Sequence, residues 1–177
     1  MGAVLVLVEQ ENGQVKKATF ELLTAARRLG EPVAVWVGAG CDDAAVSSLG
    51  EYGATSVLVA DVPTSHPVAP IADALAAAVA QTSPVSVLVA STATGKEAAG
   101  RLAVKIDSGI ITDAVDIAAD GSATQSVFGG STIVHSAVTH GTPIITVRVN
   151  SIGAEPAAGA ASKSDLAVTL APSSTLA

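Results

Sequence analysis

The chain has 177 residues, 49% hydrophobic and 14% charged, with nine Lys plus Arg against sixteen Asp plus Glu for a net charge of -7. That balance excludes disorder for most of the length and repels a phosphate backbone, so nucleic-acid binding is disfavoured. One Trp, one Tyr, two Phe and a single cysteine, Cys41, leave no aromatic platform, no internal disulfide and no Cys-cluster metal or iron–sulfur site.

The length suits one domain. Ala3 to Val8 is continuously apolar, as a strand buried on both faces of a parallel sheet must be, and it is too short and lacks the basic flank for a signal segment. The mean hydropathy of +0.53 comes from dispersed Ala and Val. No run approaches the roughly 18 apolar residues of a membrane span, and with one cysteine the chain reads as cytoplasmic.

Lys17 to Leu29 places Ala18, Leu22, Ala25 and Leu29 on one helix face and leaves Lys17, Glu21 and Arg28 for solvent. Gly30 and Pro32 end that helix, and Val33 to Val37 follows as a second strand. Asp43 to Leu49 reads as a short helix closed by Gly50 and Gly53, and Val57 to Ala60 as a third strand. Pro67 or Pro70 opens a helix to about Gln81, with Ile71, Leu75, Ala78 and Val79 inward. Val85 to Ala90 is a fourth strand, and Lys96 to Ile106 a helix with Ala98, Leu102 and Ile106 aligned. The repeated strand–helix order implies a three-layer α/β/α architecture with a mainly parallel sheet.

Beyond Ile110 the helical period disappears. Ile110 to Ala118, Thr124 to Gly129, Ser131 to Thr139 and Ile144 to Val149 are strand-like, and they read as a C-terminal antiparallel extension of the sheet. Gly129-Gly130 and Gly141-Thr142-Pro143 are turns. Gly153 to Lys163 has the Ala/Gly/Ser composition of a mobile linker, Asp165 to Leu170 is a weak final strand, and the last residues offer nothing to pack.

Motifs that carry chemistry are few. Gly38-Ala39-Gly40 hints at a dinucleotide loop, but Asp43 stands where Gly or Ala is required; Asp42 or Asp43 as a helix N-cap is the simpler reading. Thr94, Gly95 and Lys96 echo a phosphate-binding loop between the fourth strand and its helix, supported by the hydroxyls of Ser91 and Thr92. Ala90 and Glu97 break the pattern, so these three residues are weak phosphate-site candidates beside a plain capped helix start. His135 and His140 are five apart and His66 is remote, a poor set for a metal. Asp107, Asp113 and Asp116 resemble paired carboxylates but suit a solvated strand edge, and no Gly-x-Ser-x-Gly elbow supports a hydrolase triad. The residues themselves supply no catalytic constellation and no metal site.

Five segments in this order carry a family resemblance: VLVLVEQENGQVKKATFELLTAARRLG at Val4 to Gly30, GATSVLVAD at Gly53 to Asp61, STATGKEAAGRLAVKIDSGIITDAVDI at Ser91 to Ile117, VFGG at Val127 to Gly130, and VRVNS at Val147 to Ser151. From Val4 to about Pro156 the chain resembles the amino-terminal domain of the electron transfer flavoprotein alpha subunit. Glu9 closing the first strand, Gly95-Lys96 opening the fourth helix and Arg148 ending a late strand belong to that likeness.

The resemblance implies an adenine-nucleotide-hydrolase-like fold over residues 1–152. It implies a non-catalytic scaffold domain, part of a heterodimer with a beta subunit. Such heterodimers carry electrons through one FAD from flavin dehydrogenases, acyl-CoA dehydrogenases of fatty acid β-oxidation among them, to the respiratory chain. The family's Gly-Gly-Arg-Gly and Gln-x-Gly-Gln-Thr-Gly flavin stretches do not occur in this sequence. Residues 153–177 then read as a linker and weak strand toward an FAD-binding domain that an isolated first domain would lack. FAD is accordingly not expected on this chain alone, AMP is expected in the beta subunit, and no flavin contact or catalytic residue is carried over. A free-standing adenine-nucleotide-binding module of the same fold, with phosphates at Ser91 to Lys96, stands as the alternative.

Overall fold

A computed structural model describes residues 2–63, 66 and 68–174. The elements run β1 (Ala3–Leu7), β2 (Gln10–Glu11), β3 (Gln14–Val15), α1 (Lys17–Ala26), β4 (Glu31–Val37), α2 (Asp43–Glu51), β5 (Ser56–Ala60) and α3 (Ala69–Thr82). Then come β6 (Ser86–Ala90), α4 (Ala93–Lys105), β7 (Ile110–Ile117), β8 (Ala123–Val127), β9 (Thr132–Ser136), β10 (Ile144–Val147) and β11 (Ser162–Asp165). Nine strands form one sheet in the order β11-β5-β4-β1-β6-β10-β7-β8-β9, and β2 and β3 pair as a separate small hairpin. From β11 to β7 every pairing is parallel; only β7–β8 and β8–β9 are antiparallel.

Strand alternation divides the core into two layers. Val4 and Val6 of β1, with Ala34 and Trp36 of β4, meet Leu22, Leu23 and Ala26 of α1 and Leu49 of α2. Leu5 and Leu7 face the other way, toward Leu75 and Ala78 of α3 and Leu102 of α4. The expected three-layer sandwich is therefore present, with Trp36 the one fully buried aromatic in a core otherwise built mainly of Ala, Val, Leu and Ile. No helix among the described residues is long and apolar enough to cross a membrane.

Several local expectations change. Glu21, assigned to solvent from the helical period, is only 2% exposed. One of its carboxylate oxygens accepts the backbone N–H of Asn150 at 2.8 Å, and Lys17 Nζ lies 3.2 Å from the other. Gly50 is not a stop: it lies inside α2, where a Cβ would come within 2.8 Å of Ala161 N. Pro70 sits in the first turn of α3, whereas Pro67 lies outside the described residues.

Next, β10 is not part of the antiparallel extension. It inserts between β6 and β7, parallel to both, with all four residues buried. A parallel strand with helices over both faces is nearly all apolar, and Ile144, Ile145 and Val147 carry that signal, with Thr146 the buried polar exception. Sequence order concealed it, because β8 and β9 intervene as an excursion. The expected Ile144–Val149 strand also ends at Val147.

The final strand is likewise displaced. It is Ser162–Asp165, not Asp165 to Leu170, and it adds to the sheet edge beside β5. The Ala/Gly/Ser stretch before it is tied down: Ala157 N donates to Glu51 O at 2.7 Å, Glu155 N to Thr24 Oγ1 at 2.9 Å, and Lys163 Nζ to Cys41 O at 2.5 Å. Nor is the end without packing, since Leu166 is buried and Ala171 N and Ser174 Oγ both donate to Asp73. Small residues mark this segment because its backbone passes close to α2, not because it is free.

Candidate functional site

In an open parallel sheet, ligands gather at the carboxyl edge where chain order reverses. Here β4 and β5 lie on one side of β1 and β6 on the other, so the crevice falls between the ends of β1 and β6. Glu9 leaves β1 into that crevice. Its backbone is fixed by the buried Thr19 of α1, whose Oγ1 accepts Glu9 N–H at 2.8 Å. Across from it Thr92, the N-cap of α4, accepts Gly95 N–H at 3.0 Å and directs its hydroxyl to Glu9 Oε1 at 3.3 Å. A carboxylate stands where a phosphate would approach the helix N-terminus.

The three phosphate-site candidates are accounted for one by one. Thr94 and Lys96 are exposed in the first turn of α4, and Gly95 is buried beneath them. A Cβ on Gly95 would collide with the Ala90 carbonyl oxygen and come within 3.1 Å of Val89 Cγ1. Glycine at this place lets α4 press onto β6. The Gly38 to Gly40 loop is a strand-to-helix turn with both glycines at positive φ, and Asp42 caps α2 by accepting Ala45 N–H at 2.8 Å.

A second network adjoins the first. A bulge in β7 opposite Ile145–Val147 throws Asp113 into a left-handed conformation, φ 61. Its N–H donates to Thr146 Oγ1 at 2.9 Å, and Thr146 Oγ1 donates to Ser91 Oγ at 3.1 Å. Arg148, just past β10, clamps Asp113 through Nη2 at 2.7 Å and Nε at 3.3 Å. The same Nη2 donates to Ser126 O of β8 at 3.1 Å. The Arg148 hydrogen bonds hold the Asp113 carboxyl below the usual carboxylate range, helped by Ser91 and the nearby Lys96 charge and opposed by partial burial. Arg148 therefore joins the carboxyl edge of the parallel sheet to the β8–β9 hairpin.

The three aspartates do not form a dyad. Asp113 pairs with Arg148, Asp116 with Arg28 at 2.6 Å and Asp107 with His140 at 3.2 Å. His135 meets Thr124 instead, and among the described residues no three His, Cys, Asp or Glu side chains gather as a metal site would require. Of the four aromatics, Trp36 is buried in β4, Phe20 stacks on Tyr52 at 4.2 Å, and Phe128 stands exposed beyond β8.

Comparison with known proteins places this geometry in a family. The model of the electron transfer flavoprotein domain matches residues 4–173. The chain belongs to the electron transfer flavoprotein family. It is 46% identical over 163 residues to the electron transfer flavoprotein subunit alpha of Mycobacterium tuberculosis, covering 90% of this chain and 51% of that protein. The subunit alpha of Syntrophomonas wolfei is 32% identical over 179 residues, covering 97% of this chain and 56% of that protein. Protein FixB of Azorhizobium caulinodans is 34% identical over 141 residues, covering 72% and 38%. The chain thus spans about half the length of the electron transfer flavoprotein alpha subunits it matches.

Several site residues carried only a faint signal in the sequence. Glu9 and Arg148 are each the first charged residue after a buried apolar strand, which in a parallel sheet marks the carboxyl edge. Thr146 and Ser126 carried none, because their roles depend on the β7 bulge and the insertion of β10.

Proposed function

We propose that this chain is the non-catalytic scaffold domain of an electron transfer flavoprotein alpha subunit, paired with a beta subunit, with FAD held outside residues 1–177. In this reading the assembled heterodimer relays electrons from flavin dehydrogenases, those acting on acyl-CoA included, toward the respiratory chain, and AMP resides in the beta subunit. Residues 1–152 form the body of the domain, and residues 153–177, which add β11 to its sheet edge, lead on toward the flavin-holding part. A single buried free thiol, Cys41, suits the cytoplasm.

The observation that carries the scaffold reading is Glu9. A carboxylate accepting the Thr92 hydroxyl in the switch-point crevice repels the pyrophosphate that an FAD or ATP would bring there, and it engages the N-cap that would otherwise receive it. The residues present also do not fit an isoalloxazine, which needs stacking or converging donors for its ring. The family match over residues 4–173 supports the electron transfer flavoprotein part of the reading.

The free-standing nucleotide module keeps one supporting feature: an exposed Lys96 in the first turn of α4 at the carboxyl edge. Titration of FAD, ATP and AMP into the purified chain, read by calorimetry and flavin fluorescence, separates the two. The scaffold reading expects no saturable heat with any of them, and FAD uptake only when the beta subunit and the remainder of an alpha subunit are supplied. Stoichiometric micromolar binding of ATP or AMP would install the module reading, and of FAD would end the scaffold reading.

A further inference from the structure

We propose that the β8–β9 hairpin is an arm that receives an uncharged, extended strand of the partner subunit along the open edge of β9; this rests on the heterodimer reading above. β9 is the outermost strand of the sheet, and Thr132, Ile133, Val134 and His135 are all exposed, so neither face of it is buried in the core. Phe128 is 84% exposed and Ile133 55%. An ordered hairpin with apolar side chains on display and little core burial gains little for the entropy it loses.

The two edges of the sheet differ in kind. Natural sheets blunt an open edge with charges, prolines or bulges. At the other end, β11 carries Lys163 and Asp165 among its four residues. β9 reads Thr-Ile-Val-His-Ser and has none of these devices. From Gly121 to Val147 the sequence contains no Asp, Glu, Lys or Arg, in a chain whose net charge is -7. An acidic protein can bring a partner to such a surface without repulsion and without stripping water from a charge. A strand added there gains main-chain hydrogen bonds from the edge and side-chain contacts from Ile133 and Val134.

The arm is also held in place along β8. Arg148 Nη2 fixes Ser126 O, Gln125 Nε2 donates to Thr112 O at 2.8 Å, and Ser136 Oγ donates to Gln125 Oε1 at 2.9 Å. At its tip Phe128 adopts φ 51, a left-handed conformation uncommon for an aromatic residue. Strain of this sort persists where the displayed side chain has a use. Phe128 is thereby presented as an anchor for the partner.

The test is binding of the full 177-residue chain to a tagged electron transfer flavoprotein beta subunit from the same organism, measured by surface plasmon resonance and analytical ultracentrifugation. The double variant Ile133→Lys/Val134→Lys should weaken binding at least tenfold. Val104→Lys, at an exposed apolar position on α4, should leave it unchanged. Phe128→Gly should weaken binding while leaving the thermal midpoint of the free chain unchanged or higher, an outcome that a purely structural Phe128 would not give. Wild-type binding that the lysine variants do not alter overturns the arm and leaves the heterodimer reading standing. No binding by the wild-type chain overturns the heterodimer reading itself, and the arm with it. Self-association of the wild-type chain that the lysine variants abolish overturns the assignment of the edge to a partner subunit, because the occupant is then a second copy.

Discussion

Thr92 and Glu9 face each other across the crevice between β6 and β1, with the threonine Oγ1 3.3 Å from Glu9 Oε1. The threonine oxygen also accepts Gly95 N–H at 3.0 Å, so one hydroxyl both caps α4 and ties it to the end of β1. Losing such a cap costs about 0.5–2 kcal/mol. Thr92→Ala should therefore lower the unfolding free energy in urea by that amount, and Thr92→Ser should recover most of it. If Thr92→Ala and wild type share one midpoint, the hydroxyl is not capping the helix.

Glu21 tests how a buried carboxylate is used. Its Oε2 accepts Asn150 N–H from the turn after β10, while Lys17 Nζ stands 3.2 Å from Oε1 at the protein surface. Removing the acceptor loses a charge-assisted hydrogen bond to a part-buried N–H, at about 1.5–3 kcal/mol. Removing Lys17 leaves the buried Oε1 without its cation, which costs more than the loss of a surface ion pair. Lys17→Ala should thus destabilise the wild-type chain in paired denaturation curves and have much less effect on a Glu21→Gln background, which keeps an acceptor for Asn150 without the charge. An equal loss on both backgrounds would show that Lys17 does not answer the Glu21 charge.

Most of the fold was legible because buried parallel strands and Ala-rich helices leave strong local patterns. Val4 to Val8, Val33 to Val37 and Leu22 with Ala25 lie where their periodicity places them. What escaped was non-local. Glu21 and Asp73 lie at positions that a helical wheel reads as polar, and they are buried only because distant segments cover them: the turn at Asn150 and the tail at Ala171 to Ser174. The same holds for β10, whose neighbours are chosen by topology, and for the 154–161 stretch, whose composition is shared by linkers and by backbone packed closely on a helix. Glu9 was visible as the end of a strand, but its meeting with Thr92 requires knowing which strands are adjacent.

Asp73 of α3 is the anchor of the carboxyl-terminal segment. Lys105 of α4 lies 2.7 Å from one oxygen, and Ala171 N and Ser174 Oγ donate to the other at 2.8 and 2.6 Å. Burial alone would raise its pKa, but the Lys105, Ser174 and Ala171 hydrogen bonds outweigh it, so the carboxyl is held below its ordinary range. A carboxyl depressed in the folded state contributes stability that is complete above the unfolded carboxylate range and is lost as pH falls through the folded pKa. Asp73→Asn should lower the thermal midpoint by a constant amount at neutral pH, and the gap should close below about pH 4. Hydrogen exchange at Leu166 to Ser174 should quicken in the variant. A gap that persists unchanged in acid would mean that the charge on Asp73 contributes nothing.

Two helix glycines make opposite predictions from one substitution. Replacing glycine by alanine in a helix interior gains about 0.5–1 kcal/mol of backbone preference when nothing obstructs the new methyl. Gly100 of α4 meets that condition, with no atom within 4 Å of its Cβ position. Gly50 of α2 does not: a Cβ would come within 2.8 Å of Ala161 N and 3.2 Å of both Ala160 Cα and Gly159 O. These are backbone atoms, which cannot rotate aside, so the segment leading into β11 must move away. Gly100→Ala should therefore raise the urea midpoint, and Gly50→Ala should lower it despite the same gain in helix preference. The displaced segment should also become cleavable between residues 154 and 163 in limited proteolysis, where the wild-type chain resists because Ala157, Glu155 and Lys163 are hydrogen-bonded to the body. A Gly50→Ala chain that is stabilised like Gly100→Ala and equally resistant would show that the Ala/Gly/Ser stretch does not pack on α2.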